Sequence, residues 1–157
     1  MESLSVRGAE VIEIEGSVAR TAQGITEADV EEVNSAYWTY VQEHLGKIPS
    51  YGAIAQILKW PVARLAKNMI RINKILQSKA KPPLYFEKNW PENFANAQGV
   101  LYAYEYYKIV SGGKNPSAKD LVLMTGYPER AIGIVIDIIN TQRKKYNLPP
   151  LELRKED

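Results

Sequence analysis

Between residues 26 and 45 the apolar positions Val30, Val33, Tyr37 and Val41 recur every three or four residues, which predicts a helix with one buried face. Thr26, followed by Glu27 and Asp29, provides the hydroxyl and early carboxylates that suit a helix start. Gly46-Lys47-Ile48-Pro49-Ser50 breaks the pattern. Ser50 is then expected to cap a short helix over 51–58, with Ile54, Ile57 and Leu58 inward. Lys59 and Trp60 form a turn into Pro61, which suits the first position of a third helix because its missing amide would be unpaired there. That helix runs to about Ser78. Lys81-Pro82-Pro83 ends it, and Leu84-Tyr85-Phe86 reads as a short strand. Upstream, residues 1–25 alternate loosely around Leu4, Val6, Val11, Ile12 and Ile14. They predict a weak strand, a hairpin or a mobile arm.

The pattern then starts again. Residues 33–84 align with 100–151 at a constant offset of 67 and without a gap, and 14 of the 52 pairs are identical. Chance at this composition would give about three or four, so the chain is one supersecondary unit used twice. The second copy predicts a helix over about 94–111, a break at Gly112-Gly113 and a cap at Ser117. A short helix to Thr125 follows, then a turn at Gly126-Tyr127 and a third helix after Pro128. Pro149-Pro150-Leu151 closes it.

Three helices, the last two joined by a tight turn and followed by a short strand, make a helix-turn-helix unit with a rudimentary wing. Val122 is small enough for a helix crossing, Gly126 suits the turn, and Ile132 and Val135 point to a core. The first copy departs in having Lys59 at the turn-glycine position and Asn68 where an apolar residue is expected. The predicted fold class is mainly α, with two tandem helix-turn-helix repeats and short β-strands. Its segments are an acidic arm or strand (1–25), a first repeat (26–88) and a second repeat (89–157).

Charge separates the copies. The net charge of +2 conceals −7 over residues 1–45, +8 over 46–88 and +1 over 89–157. The first repeat is therefore basic, the second nearly neutral, and different tasks are expected of them. With no cysteine, the sequence excludes disulfides, thiolate metal sites and cysteine nucleophiles, and it fits a reducing cytoplasm. No apolar run approaches the ~20 residues of a membrane span, and the acidic start does not read as a signal peptide.

The third helix of the first repeat carries the sharpest constellation. Leu65, Met69, Ile72 and Leu76 form its core stripe, while Arg64, Lys67, Arg71 and Lys74 fall within about 80° on the other side. Like charges at this spacing weaken a helix, and no acid within the helix relieves them. Phosphates would, with counterion release favouring association. Lys47, Ser50, Tyr51, Lys59, Trp60 and Asn68 complete the expected DNA-contacting set. A merely solvated basic face is the plainer alternative. In the second copy the stripe becomes Ala131, Ile134, Ile138 and Thr141, opposite a core stripe of Ile132, Val135, Ile136 and Ile139. A helix apolar on both faces predicts a covered interface, with a twofold homodimer favoured over packing within one chain.

Nothing suggests catalysis. His44, the only histidine, suits a helix end, and the sequence has no Ser/His/Asp set, metal-ligand cluster or phosphate loop. No cofactor is expected. Tyr102, Tyr104, Tyr106 and Tyr107 run around their helix, which suits core and interface aromatics better than base stacking.

The stretch GKIPSYGAIAQILKWPVAR (46–64) resembles the winged-helix segment of alkylguanine-DNA alkyltransferases and alkyltransferase-like proteins. It shares the Tyr-Gly, the Ile-Ala pair and the Pro followed closely by Arg; TGYPERAIG (125–133) is similar to the same stretch. The likeness spans about 25 residues per copy, Arg64 falls one position early, and the Pro-Cys-His-Arg active-site motif is absent. It implies a DNA-binding scaffold and no alkyl transfer. The expected function is double-stranded DNA binding by a small prokaryotic, phage or plasmid regulator, with homodimerisation or a protein partner through the second repeat. The alternatives are an interaction module or inhibitor that grips another protein and, behind it, a structural component of phage packaging.

Overall fold

The protein, seen in a computed structural model, is described over residues 24–155. The sequence expectations for residues 1–23 lie outside that range. The described chain is mainly helical. Helices α1 (Glu27–Glu43), α2 (Tyr51–Leu58) and α3 (Val62–Ser78) are followed by a 3-10 turn (Glu87–Asn89), then by α4 (Ala97–Val110), α5 (Ala118–Thr125) and α6 (Glu129–Lys145). Two compact units emerge, residues 24–36 with 51–72 and residues 37–50 with 73–155, so the boundaries fall inside α1 and α3.

Local chemistry explains the helix ends. At α1 the Thr26 hydroxyl accepts from the Asp29 amide (3.1 Å) while Asp29 accepts from the Thr26 amide (2.8 Å), a reciprocal capping box. Ser117 and Asp120 repeat the device at α5 (3.1 and 2.9 Å). Pro61 and Pro128 sit one residue before their helices rather than at the first helical position, and their carbonyls accept the first helical bonds. Ile57 departs from expectation too: it is 53% exposed, while Ala55 shares the buried face of Ile54. On so short a helix, Ile57 lies roughly 100° around from the centre of the face made by residues 54, 55 and 58.

The repeat is structural as well as sequential. Leu45, Lys59 and Ala80 adopt left-handed backbone (φ 56°, 61° and 58°), and so do their counterparts Gly112, Gly126 and Asn147 (77°, 79° and 56°). Asn73 accepts from the Leu84 amide (2.8 Å) and donates to its carbonyl (3.1 Å); Asn140 treats Leu151 the same way (2.7 and 3.1 Å). The Tyr37 hydroxyl donates to the Tyr85 carbonyl (2.5 Å), and that of Tyr104 donates to the Glu152 carbonyl (2.9 Å).

These clamps correct the expected wing. Residues 84–86 form no strand, because the Asn73 side chain already satisfies both backbone groups of Leu84. Among the described residues the only β feature is the isolated parallel bridge of Ser117 with Arg154.

In the first unit, Val30, Val33, Ile54, Leu65, Met69 and Ile72 are buried, so the predicted core stripe of α3 holds there. In the second, α4, α5 and α6 pack on one another around Val100, Tyr104, Leu121, Ile132, Val135 and Ile139. Tyr37 and Tyr102 share a buried hydroxyl–hydroxyl bond (2.8 Å), and burial raises both phenols far above the usual range. Phe94 and Tyr85 pack on the Tyr102 ring. Gly99 is required there: a Cβ would lie 2.1 Å from the Phe94 carbonyl oxygen. Glu105 and Arg143 stand where the first copy has Trp38 and Leu76. Burial raises the Glu105 carboxyl and lowers the Arg143 guanidinium, each shift opposed by the other's charge. Arg143 also donates to the carbonyls of Pro149 (2.8 Å) and Ala80 (3.1 Å).

Candidate nucleic-acid interface

The turn between α2 and α3 aims the helix that carries the basic stripe. The Trp60 amide bonds to the Ala55 carbonyl (2.9 Å) and the Lys59 amide to that of Gln56 (3.3 Å), a Schellman-type closure. Such a closure needs a left-handed residue, and here it is Lys59, exposed and without the freedom of glycine. In the second copy Gly126 takes the position and makes a single bond to the Val122 carbonyl (2.9 Å).

Arg64 does not belong to the exposed stripe. Its guanidinium donates to the Gly24 carbonyl (3.0 Å) and the Asp29 carboxylate (3.3 Å), and it lies over the Trp60 ring at 3.9 Å. Arg64 and Asp29 side chains are each 22% exposed. The pair ties the start of α1 to the start of α3 and holds the Trp60 ring against it. Asn68 leaves the surface as well. It is 9% exposed, and its amide donates to the Arg64 carbonyl one turn back (2.8 Å). A helical wheel drawn for α3 alone could not find either contact, since Asp29 and Gly24 belong to a different segment.

Lys67, Arg71 and Lys74 remain. All three are exposed, four and three residues apart on α3, and none forms an ion pair among the described residues. Ile70, 76% exposed, lies among them on the same helix. Tyr51 and Trp60 are half-buried, and burial raises the Tyr51 phenol. Lys47 is exposed and Ser50 directly precedes α2, but these two and Lys74 belong to the second unit; Lys59, Lys67 and Arg71 belong to the first.

The second copy presents a different surface. Ile134 and Ile138 are 53% and 52% exposed, Leu123 on α5 is 85% exposed, and Ala131 is half-buried. Thr141 is exposed, its hydroxyl donating to the Asp137 carbonyl (3.0 Å). Among the described residues, then, about half of the Ile134 and Ile138 surface and most of Leu123 stay open.

His44 stacks on Tyr40 with ring centres 3.8 Å apart, and its Nδ1 lies 2.9 Å from the Tyr40 carbonyl. Tyr102 and Tyr104 are buried, and Tyr106 and Tyr107 are half-buried. The Tyr106 hydroxyl donates to the Gly46 carbonyl (2.7 Å), and Tyr107 accepts from Arg154 (3.0 Å). These rings therefore serve packing. Among the described residues there is no group of three or more metal-ligating side chains, and no helix is long and apolar enough to cross a membrane. No protein-family model, curated protein or solved structure matches this chain.

Proposed function

We propose that the protein binds double-stranded DNA through α3 of the first repeat, with Lys67, Arg71 and Lys74 meeting phosphates and Lys59 assisting from the turn. One observation carries this reading: three exposed cations share one face of the helix that follows a tight turn, and no carboxylate among the described residues neutralises them. A polyanion relieves their mutual repulsion and releases its own counterions. The role of Arg64 in this reading is to fix the entry of α3, and the resemblance to the alkyltransferase winged-helix segment supports the same scaffold.

Duplex binding at low salt should weaken with a slope of log K against log salt of about −3 to −4, set by three or four phosphate contacts. Replacing Lys67, Arg71 and Lys74 together by Ala should bring that slope to about −1 or shallower and leave the fold intact. A parent chain that ignores duplex at low salt, or a triple variant that binds as the parent does, overturns the proposal.

A second reading, a protein-interaction module, is favoured by the open apolar side chains Ile134 and Ile138 on α6 and Leu123 on α5. A second copy suits it, since a twofold contact uses one apolar patch twice. Sedimentation should give a dimer for the parent and a folded monomer for Ile134→Glu/Ile138→Glu. A monomeric parent removes self-association and leaves a foreign protein as the occupant.

A further inference from the structure

A cleft of about 420 Å³ opens in the second unit, within the range typical of small-ligand sites. Its walls include Lys74 and Gln77 from α3, Gln98 from α4, Gln142 and Lys145 from α6, and Tyr146 just beyond. Its lining is unusual for what it lacks: no carboxylate is among these residues, and no large aliphatic side chain either. Lys74 and Lys145 are both exposed, and neither forms an ion pair among the described residues.

Lys145 lies in the last turn of α6, where an ammonium would ordinarily serve the open carbonyls, and Lys74 stands just before the last turn of α3. Here the chain does that work itself. The amides of Lys79 and Lys81 bond to the Leu76 carbonyl (3.0 and 2.9 Å), and that of Ala80 bonds to Gln77 (3.1 Å). At the end of α6 the amides of Tyr146 and Leu148 bond to Arg143 (both 3.0 Å), and that of Asn147 bonds to Lys144 (3.2 Å). The lysines therefore stay available for an anion from outside. The three glutamines both donate and accept, which suits hydroxyls and heterocycle edges, and Tyr146, 49% exposed, offers a ring for stacking.

We propose that this cleft binds a phosphorylated ligand of mononucleotide size, with the phosphate between Lys74 and Lys145 and the polar body against the glutamines and Tyr146. The inference does not depend on duplex binding by α3; only Lys74 is shared. The same chemistry can come from a free nucleotide or from one nucleotide of a strand, so both are offered to the protein.

Adenosine monophosphate and a short single-stranded oligonucleotide are titrated against the full chain, with Lys145→Gln and Gln142→Ala as variants beside Lys67→Ala/Arg71→Ala. The nucleotide should bind with Kd of about 1 mM or tighter, and Lys145→Gln should weaken it by about tenfold. Lys67→Ala/Arg71→Ala should leave nucleotide affinity unchanged, which separates this site from the duplex-binding face. Loss by Lys145→Gln of oligonucleotide affinity alone assigns the cleft to a strand phosphate, still in support. Failure of both ligands to bind at about 10 mM, or binding that neither Lys145→Gln nor Gln142→Ala alters, overturns the proposal.

Discussion

The two copies agree in what holds the backbone and differ in what faces outward. Asn73 and Asn140 grip Leu84 and Leu151 with nearly the same distances, and Tyr37 and Tyr104 close the same carbonyl contact. Yet the face that bears Lys67 and Arg71 in one copy bears Ile134 and Ile138 in the other. The trunk has thus been kept apart from the surface: the clamps hold the segment that leaves the third helix, while the outer positions of that helix change from cation to aliphatic. Glu105 and Arg143 show the limit of that freedom. Two ionisable residues stand where the first copy has a tryptophan and a leucine, and Arg143 bonds two backbone carbonyls there.

The strongest way to break the equivalence is to cut the clamps. Asn73→Ala and Asn140→Ala should each cost about 2–3 kcal/mol, because each orphans the buried amide and carbonyl of one leucine. Chemical denaturation checks it. If one variant is severe and the other near neutral, the copies are not equivalent in energy, whatever their geometry.

A smaller effect sharpens the contrast at the turns. Lysine in the left-handed region is strained and glycine is not, so Lys59→Gly should stabilise the fold by about 1 kcal/mol and Gly126→Lys should destabilise it by a similar amount. Lys59→Gly should also weaken duplex binding, as one cation is lost. A Lys59→Gly protein that melts no higher than the parent argues that the lysine is held by more than its backbone.

The smallest effect concerns Glu105. Burial raises its carboxyl above the ordinary range, so the folded chain holds that proton more tightly than the unfolded one. Stability is therefore lost as pH rises from the ordinary carboxylate range through the raised value, and the loss persists at neutral pH. Glu105→Gln should remove it, with a gain at neutral pH that fades in acid. A gain that does not depend on pH points to repacking instead.

Helix positions were legible because they carry a period. The stripe Leu65, Met69, Ile72 and Leu76 is buried as the spacing requires, and α2 covers the expected residues. What escaped is contact between segments. The Asn73–Leu84 clamp spans 11 residues and has no periodic signature, so residues 84–86 read as a strand when an amide side chain does a strand's work. Arg64 looked exposed because its acid, Asp29, lies 35 residues away. The alignment did hold the signal: Asn73/Asn140 is a polar identity that no helical pattern demands. Of the expected interface, Lys67, Arg71 and Lys74 are where the spacing put them, while Arg64 and Asn68 became internal supports.

The asparagine clamps also give the molecule two matched internal clocks. The amide hydrogens of Leu84 and Leu151 lie in segments with no regular structure, where exchange with solvent is ordinarily fast, but each is buried and bonded to an asparagine oxygen. Either proton can exchange only when its own copy loosens enough to release the leucine. Two peaks in one spectrum therefore time the opening of the two copies side by side, in the same sample and against the same solvent.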